Sequence, residues 1–217
     1  MLKRFTEVEG KYIEKIIGQE RYAFSTSDYV EFYEMLEMAN RGGYQGNVIK
    51  FFDFETGNVY TPFEKKRNII YGNPVYTDGY YYFLQGDYDK GVLTLYRYIP
   101  GEILEKETEL NIDDVNLYNL HIMGTKVYVI SNSEKFECYY PEKISFSVGD
   151  NESAMFIEDD KIYFEKWIEE GYDDENNCIT DDYNFYHVVV VRDFYGNVIS
   201  EEVGNLYQSQ DGNWWIS

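Results

Sequence analysis

Sulfur and imidazole are scarce: the chain of 217 residues holds two cysteines and two histidines. Cys138 falls in a strand-like run and Cys178 in a polar stretch, a pairing that suits neither a disulfide framework nor a zinc site. A reducing, cytoplasmic setting is the expectation, or secretion if a leader once preceded Met1. His187 heads a strand without an evident partner, so the two histidines do not make a metal centre. Basic residues are also few, 19 against 40 acidic ones, for a net charge of −21. A field of that sign repels phosphate backbones and anionic lipid, which excludes nucleic acid and membrane as partners. No apolar run reaches membrane-spanning length, and Lys3 and Arg4 precede no apolar stretch of signal-peptide length. Serine elbow, phosphate loop and cysteine-histidine site are missing too. No cofactor is expected.

What is present is aromatic: 24 tyrosines, 14 phenylalanines and 3 tryptophans. In "NPVYTDGYYYFLQ" (73–85) two apolar runs flank Asp78-Gly79, a pair suited to the positive backbone angles of a type I′ hairpin. The same shape recurs in 22–34, 120–131, 154–166 and 206–217, with turns at Ser27-Asp28, Gly124-Thr125, Asp159-Asp160 and Asp211-Gly212. The spacings, from about 35 to about 52 residues, indicate one repeated unit with variable loops.

A second strand pair follows each of the first four hairpins. It turns at Gly57, Gly101 and Gly196 in 47–64, 92–110 and 187–204, and at Pro141-Glu142 in 135–150. Four antiparallel strands per repeat of this length predict a propeller blade. The fifth hairpin ends at Ser217, while residues 2–18 read as two strands about Gly10 with no hairpin before them. The expectation is therefore an all-β, five-bladed β-propeller filling 1–217 as one domain. Its last blade would be closed by two N-terminal and two C-terminal strands, which removes open sheet edges.

The stretch "DGYYYFLQ…LTLYRYIPGE" resembles the blade repeat of bacterial β-propeller domains, many of unknown function, with an Asp-Gly turn, aromatic strands and a Leu-Tyr-Arg strand. Such repeats imply a fold and a habit of binding. Tyrosines on both faces of the second strands should wedge between blades. Glycoside hydrolases of the five-bladed type place paired carboxylates at the channel. Yet the strands expected innermost (22–25, 73–77, 118–122, 153–157, 206–209) hold no Asp or Glu. The nearest acids, Asp113, Asp114, Asp150 and Glu152, fall in connections before them.

His121, with Asn119 and Gln208, is the most suggestive polar group of those strands, although a lone histidine is more often simply hydrogen-bonded. The loops 36–46 and 169–184 are long and should share a rim with both termini, offering Tyr44, Tyr172, Asp173, Asp174, Asp181 and Asp182 as binding residues. The stretch 171–184 lacks the mid-loop glycine and closing glutamate of the usual calcium loop, so it reads as solvated. The sequence thus points to a monomeric, non-catalytic interaction module for a cationic or neutral protein, peptide or glycan. A sugar hydrolase and an assembly scaffold are the alternatives.

Overall fold

Where two successive residues take positive φ, the chain reverses as the turn chemistry requires: Asp78 and Gly79 at 50° and 82°, Asp159 and Asp160 at 49° and 58°. The computed structural model describes residues 1–217 apart from Thr125, Asp174 and Asn177. Thr125, half of the third expected turn, thus lies outside the described residues.

The first sheet runs β1 (Glu14–Lys15), β2 (Tyr22–Thr26), β3 (Ile49–Asp53) and β4 (Val59–Tyr60), with helix α1 (Phe32–Asn40) inserted between β2 and β3. The second contains β5 (Ile69–Tyr71) and β6 (Val75–Thr77), both paired to β7 (Tyr80–Asp87), then β8 (Val92–Ile99) and β9 (Ile103–Asn111). The third is β10 (His121–Met123), β11 (Tyr128–Asn132), β12 (Lys135–Tyr140) and β13 (Ile144–Ser147). The fourth is β14 (Glu152–Glu158), β15 (Lys161–Asp173), β16 (Cys178–Asp193) and β17 (Val198–Val203). A two-stranded sheet, β18 (Leu206–Gln208) and β19 (Trp214–Ile216), ends the chain. Every pairing is antiparallel. Gly57, Gly101 and Gly196 turn the third strands into the fourth with positive φ, and a cis Tyr140-Pro141 bond opens the corresponding turn of the third sheet.

The second strands show why so many rings are needed. Successive side chains of a strand face opposite ways. In β7, Tyr81 and Phe83 join Phe24 and Phe51 of the first sheet, while Tyr82 and Leu84 join Ile122 and Val129 of the third. In β11, Val129 looks back toward the second sheet, and Tyr128 and Ile130 pack with Ile162 and Phe164 of the fourth. Val189 and Val191 of β16 then meet Leu206 of the last hairpin. The inner strands of each sheet between two others are therefore buried on both faces, while outer strands such as β9 and β17 stay largely exposed.

Three sequence expectations are corrected. The strand expected after the Ser27-Asp28 turn and the first half of the loop expected over 36–46 give way to a connection and α1, while 41–46 stays irregular. Phe32 inserts between Gly72 and Gly86, where a Cβ on either glycine would stand 3.1 or 3.3 Å from the ring, and Met35 is fully buried. A slot made by distant glycines thus overrides the local alternation. Residues 2–18 do not complete the last hairpin. Ile16 is buried between the first and second sheets, which draws 14–15 onto β2, and Phe5 packs edge-on against Phe52 at 5.2 Å. The last hairpin meets this region through the Gly18 amide, which donates to the Gln210 carbonyl at 3.1 Å. Finally, 169–184 is mostly strand, the outer part of β15 and β16.

Candidate functional site

β15 and β16 outrun their sheet. β14 leaves β15 after the Glu152 to Lys166 pair, and β17 leaves β16 after Val188 to Val203. The two long strands go on pairing through Trp167 with His187 and Glu169 with Phe185 to Asp173 with Cys178. Seven residues beyond Lys166, at about 3.3 Å each, carry this ribbon about 20 Å past the sheet. Among the described residues no third strand pairs with either outer edge there, so both present unpaired backbone groups.

Directly paired residues share a face. One face of the ribbon therefore carries Trp167, Glu169, Phe185 and His187; beyond the register shift at Gly171, Tyr172 pairs with Ile179. Phe185 and Ile179 are 58% and 63% exposed, apolar side chains left open along the ribbon. The Tyr183 hydroxyl donates to Glu169 at 2.7 Å and the Tyr186 hydroxyl to Glu170 at 3.1 Å, tying strand to strand. Each carboxylate raises the pKa of its phenol by holding the proton. Gly171, at φ 71°, makes the bulge that lets the strands stay paired, because a Cβ there would meet the Asp182 backbone at 2.8 Å.

The sequence-predicted residues separate into two groups. Tyr172, Asp173, Asp181 and Asp182 lie together on the ribbon, and Asp174 falls outside the described residues. Asp173 closes the tip: it accepts from the Glu175 and Asn176 amides at 3.0 and 3.1 Å and from Asn176 Nδ2 at 2.8 Å, bonds that hold its carboxyl below the ordinary range. Asp181 and Asp182 are exposed and hold no hydrogen bond or ion pair through their carboxylates among the described residues. Including Asp174, residues 167–186 contain seven acids and no Lys or Arg. Among the described residues no three His, Cys, Asp or Glu side chains gather closely enough to hold a metal ion.

Tyr44 and His121 lie elsewhere. Tyr44 is half-buried against the core between the second and third sheets, and its hydroxyl donates to Asp28 Oδ2 at 2.8 Å. Burial first, and then Asp28, raises its pKa. His121 begins β10, and its Nδ1 lies 2.8 Å from the Asn119 carbonyl, which can only accept, so Nδ1 carries the proton. Asp28, Tyr29 and Glu31 line the same cavity as His121 and were hidden in the segment read as a hairpin turn. A helical signal was available there, since Phe32, Met35, Leu36 and Ala39 follow i, i+3, i+4, i+7 spacing.

His187, without an evident partner in the sequence, sits at the ribbon base with Nε2 3.4 Å from Glu165 and Nδ1 3.3 Å from Asn205. Glu152 is buried and bonded to Arg192, and Asp113 and Asp114 form an exposed turn of 3-10 helix. No helix among the described residues is long and apolar enough to cross a membrane. Comparison with known proteins finds no matching family model, no matching curated sequence and no matching solved structure.

Proposed function

We propose that this protein is an interaction module in which the ribbon of β15 and β16 captures an extended, cationic polypeptide segment by strand addition. The observation that carries this reading is one element combining unpaired strand edges, exposed apolar side chains and seven acids with no Lys or Arg among them. Main-chain bonds to an edge would supply affinity, and alternate side chains would meet the apolar side chains and the acids in turn. A Lys- or Arg-bearing strand complements the charge, and a net charge of −21 would steer it toward the protein.

The sheets are best read as blades of a five-bladed propeller whose last blade is short. Support comes from the order of packing, each sheet sharing a core with the next, and from the Gly18 to Gln210 bond between first sheet and last hairpin. In that arrangement the ribbon stands on a rim as an outgrowth of the fourth blade.

The test is fluorescence anisotropy with a synthetic peptide in which Lys or Arg alternates with Val or Ile, against an otherwise identical Glu-bearing peptide. The cationic peptide should bind, more weakly as salt rises. Binding should weaken in the Glu175→Gln, Asp181→Asn, Asp182→Asn triple variant, and disappear when 168–186 is replaced by an Asn-Gly turn joining the paired Trp167 and His187. Equal binding of both peptides, or binding that survives the ribbon deletion, would refute the proposal.

A further inference from the structure

Next to the ribbon base lies a cavity of about 410 Å³, a size within the roughly 300–1,000 Å³ of small-molecule sites. Four sheets contribute to its wall: the segment leaving β2, residues 71–73, residues 119–122 with Asn132, and Ser153 with Ala154. Ser153 pairs with Glu165, two residues before the ribbon begins, so cavity and ribbon open at the same end of the fourth sheet.

The charged groups of the wall are engaged. Asp28 accepts from the Tyr44 hydroxyl at 2.8 Å and the Tyr29 amide at 3.0 Å, and Glu31 accepts from the Tyr29 hydroxyl. The uncharged groups keep open capacity. His121 spends its Nδ1 proton on Asn119, leaving Nε2 with a lone pair. Asn119 gives Nδ2 to the Asn132 carbonyl at 3.0 Å and keeps Oδ1, whereas Asn132 accepts at Oδ1 from the Ala154 amide at 2.6 Å and keeps Nδ2. The side chains of Asn73 and Ser153 hold no hydrogen bond among the described residues. Leu120 and Ile122 add apolar surface to the same wall.

This open set mixes acceptors with donors, is entirely neutral and is flanked by aliphatic surface. A hydroxyl donates and accepts at once, so several hydroxyls on a small carbon ring satisfy such a wall, while an anion meets Asp28 and Glu31. An amine meets the uncompensated charge of Asp28 and Glu31 but, having only donors, leaves the amide donors of the opposite wall unpaired, so it is the competing ligand in the test. We infer that the cavity is a binding site for a small uncharged polyhydroxylated molecule, a mono- or disaccharide, with His121 Nε2, Asn73 and Ser153 among its hydrogen-bonding partners. Crowding by the cavity wall desolvates the imidazole enough to lower its pKa despite the Asn119 bond, although the residue keeps an exposed side, and this favours the accepting, neutral form.

The test is a titration of isotopically labelled protein, followed by backbone amide shifts, with a panel of neutral mono- and disaccharides and with a diamine for comparison. At least one sugar should shift amides of residues 72–73, 119–122 and 153–154. Asn73→Ala and His121→Ala should each weaken that sugar about tenfold, the loss of one well-made hydrogen bond. Asn73 is exposed and makes no side-chain bond, so its variant keeps the urea midpoint of the parent and reads binding alone. The inference is overturned if no sugar shifts these amides up to its solubility limit, if the diamine alone does so, or if both variants bind as the parent does. Cationic peptide binding at the ribbon is unaffected by either substitution, so this outcome is separable from that of the ribbon.

Discussion

Glu152 takes both Nε and Nη2 of Arg192, at 2.7 and 3.0 Å, with its own side chain 2% exposed. The pair ties β14 to β16 across the intervening β15, and the same carboxylate accepts from the Gly149 amide at 2.8 Å. Removing one partner of such a pair strands the other charge. Glu152→Gln should cost about 3 kcal/mol in urea unfolding. Because the penalty is shared, a double Glu152→Gln, Arg192→Met variant should lose less than the two single losses added.

Phe83 is fully buried, with rings of Phe51, Phe63, Tyr71, Tyr96 and Tyr98 within 6.3 Å of its own. Phe83→Ala should cost about 3–5 kcal/mol. Tyr195, 87% exposed at a turn, serves as the control: Tyr195→Ala should fall within about 0.5 kcal/mol of the parent.

Two turn glycines separate backbone strain from steric contact. Gly79 and Gly196 have nearly equal φ, 82° and 85°, but a Cβ on Gly79 meets open space while one on Gly196 would lie 2.7 Å from the Phe146 ring. Both alanine variants incur roughly 1–2 kcal/mol for the left-handed conformation. Gly196→Ala should be the more destabilising in thermal melts, since Phe146 stacks on Phe136 and must shift.

His121 has a depressed pKa in the folded chain, caused chiefly by desolvation from the cavity wall although the residue is partly open to solvent, against an ordinary value of 6.5. The unfolded chain therefore binds a proton that the native one resists. This contribution to stability is complete above pH 6.5 and is lost as pH falls through that value toward the lower native pKa. Unfolding free energy measured between about pH 7.5 and 5 should decline less in His121→Gln than in the parent. The depressed carboxyls of Asp53, Asp193 and Asp211 act below their ordinary 3.8 and leave this window clear.

Legibility tracked how local the cause was. Asp78-Gly79 and Asp159-Asp160 announce their turns because positive φ is a property of those residues themselves, and the four-strand unit follows from their recurrence. Helix α1 is half legible: Phe32, Met35, Leu36 and Ala39 carry helical spacing, but the slot that Gly72 and Gly86 supply for Phe32 lies far along the chain. The ribbon looks like a loop in sequence for a related reason: "EEGYDDENN" is turn-like by composition, and only pairing with β16 makes part of it a strand. The acids were visible, but not that Asp173 is spent on its own tip while Asp181 and Asp182 stay open. His121 stood out as a lone histidine, whereas its companions Asp28 and Glu31 came from the misread segment.

The most direct test of the ribbon as the docking element is amide hydrogen exchange, with and without the alternating cationic peptide. In the free protein the outward amides of 168–173 and 179–186 should exchange quickly, since they lie on unpaired edges. With peptide bound, protection should rise along one of these edges and stay unchanged in β7 and β11. Protection that rises elsewhere while both ribbon edges exchange as before would contradict the account.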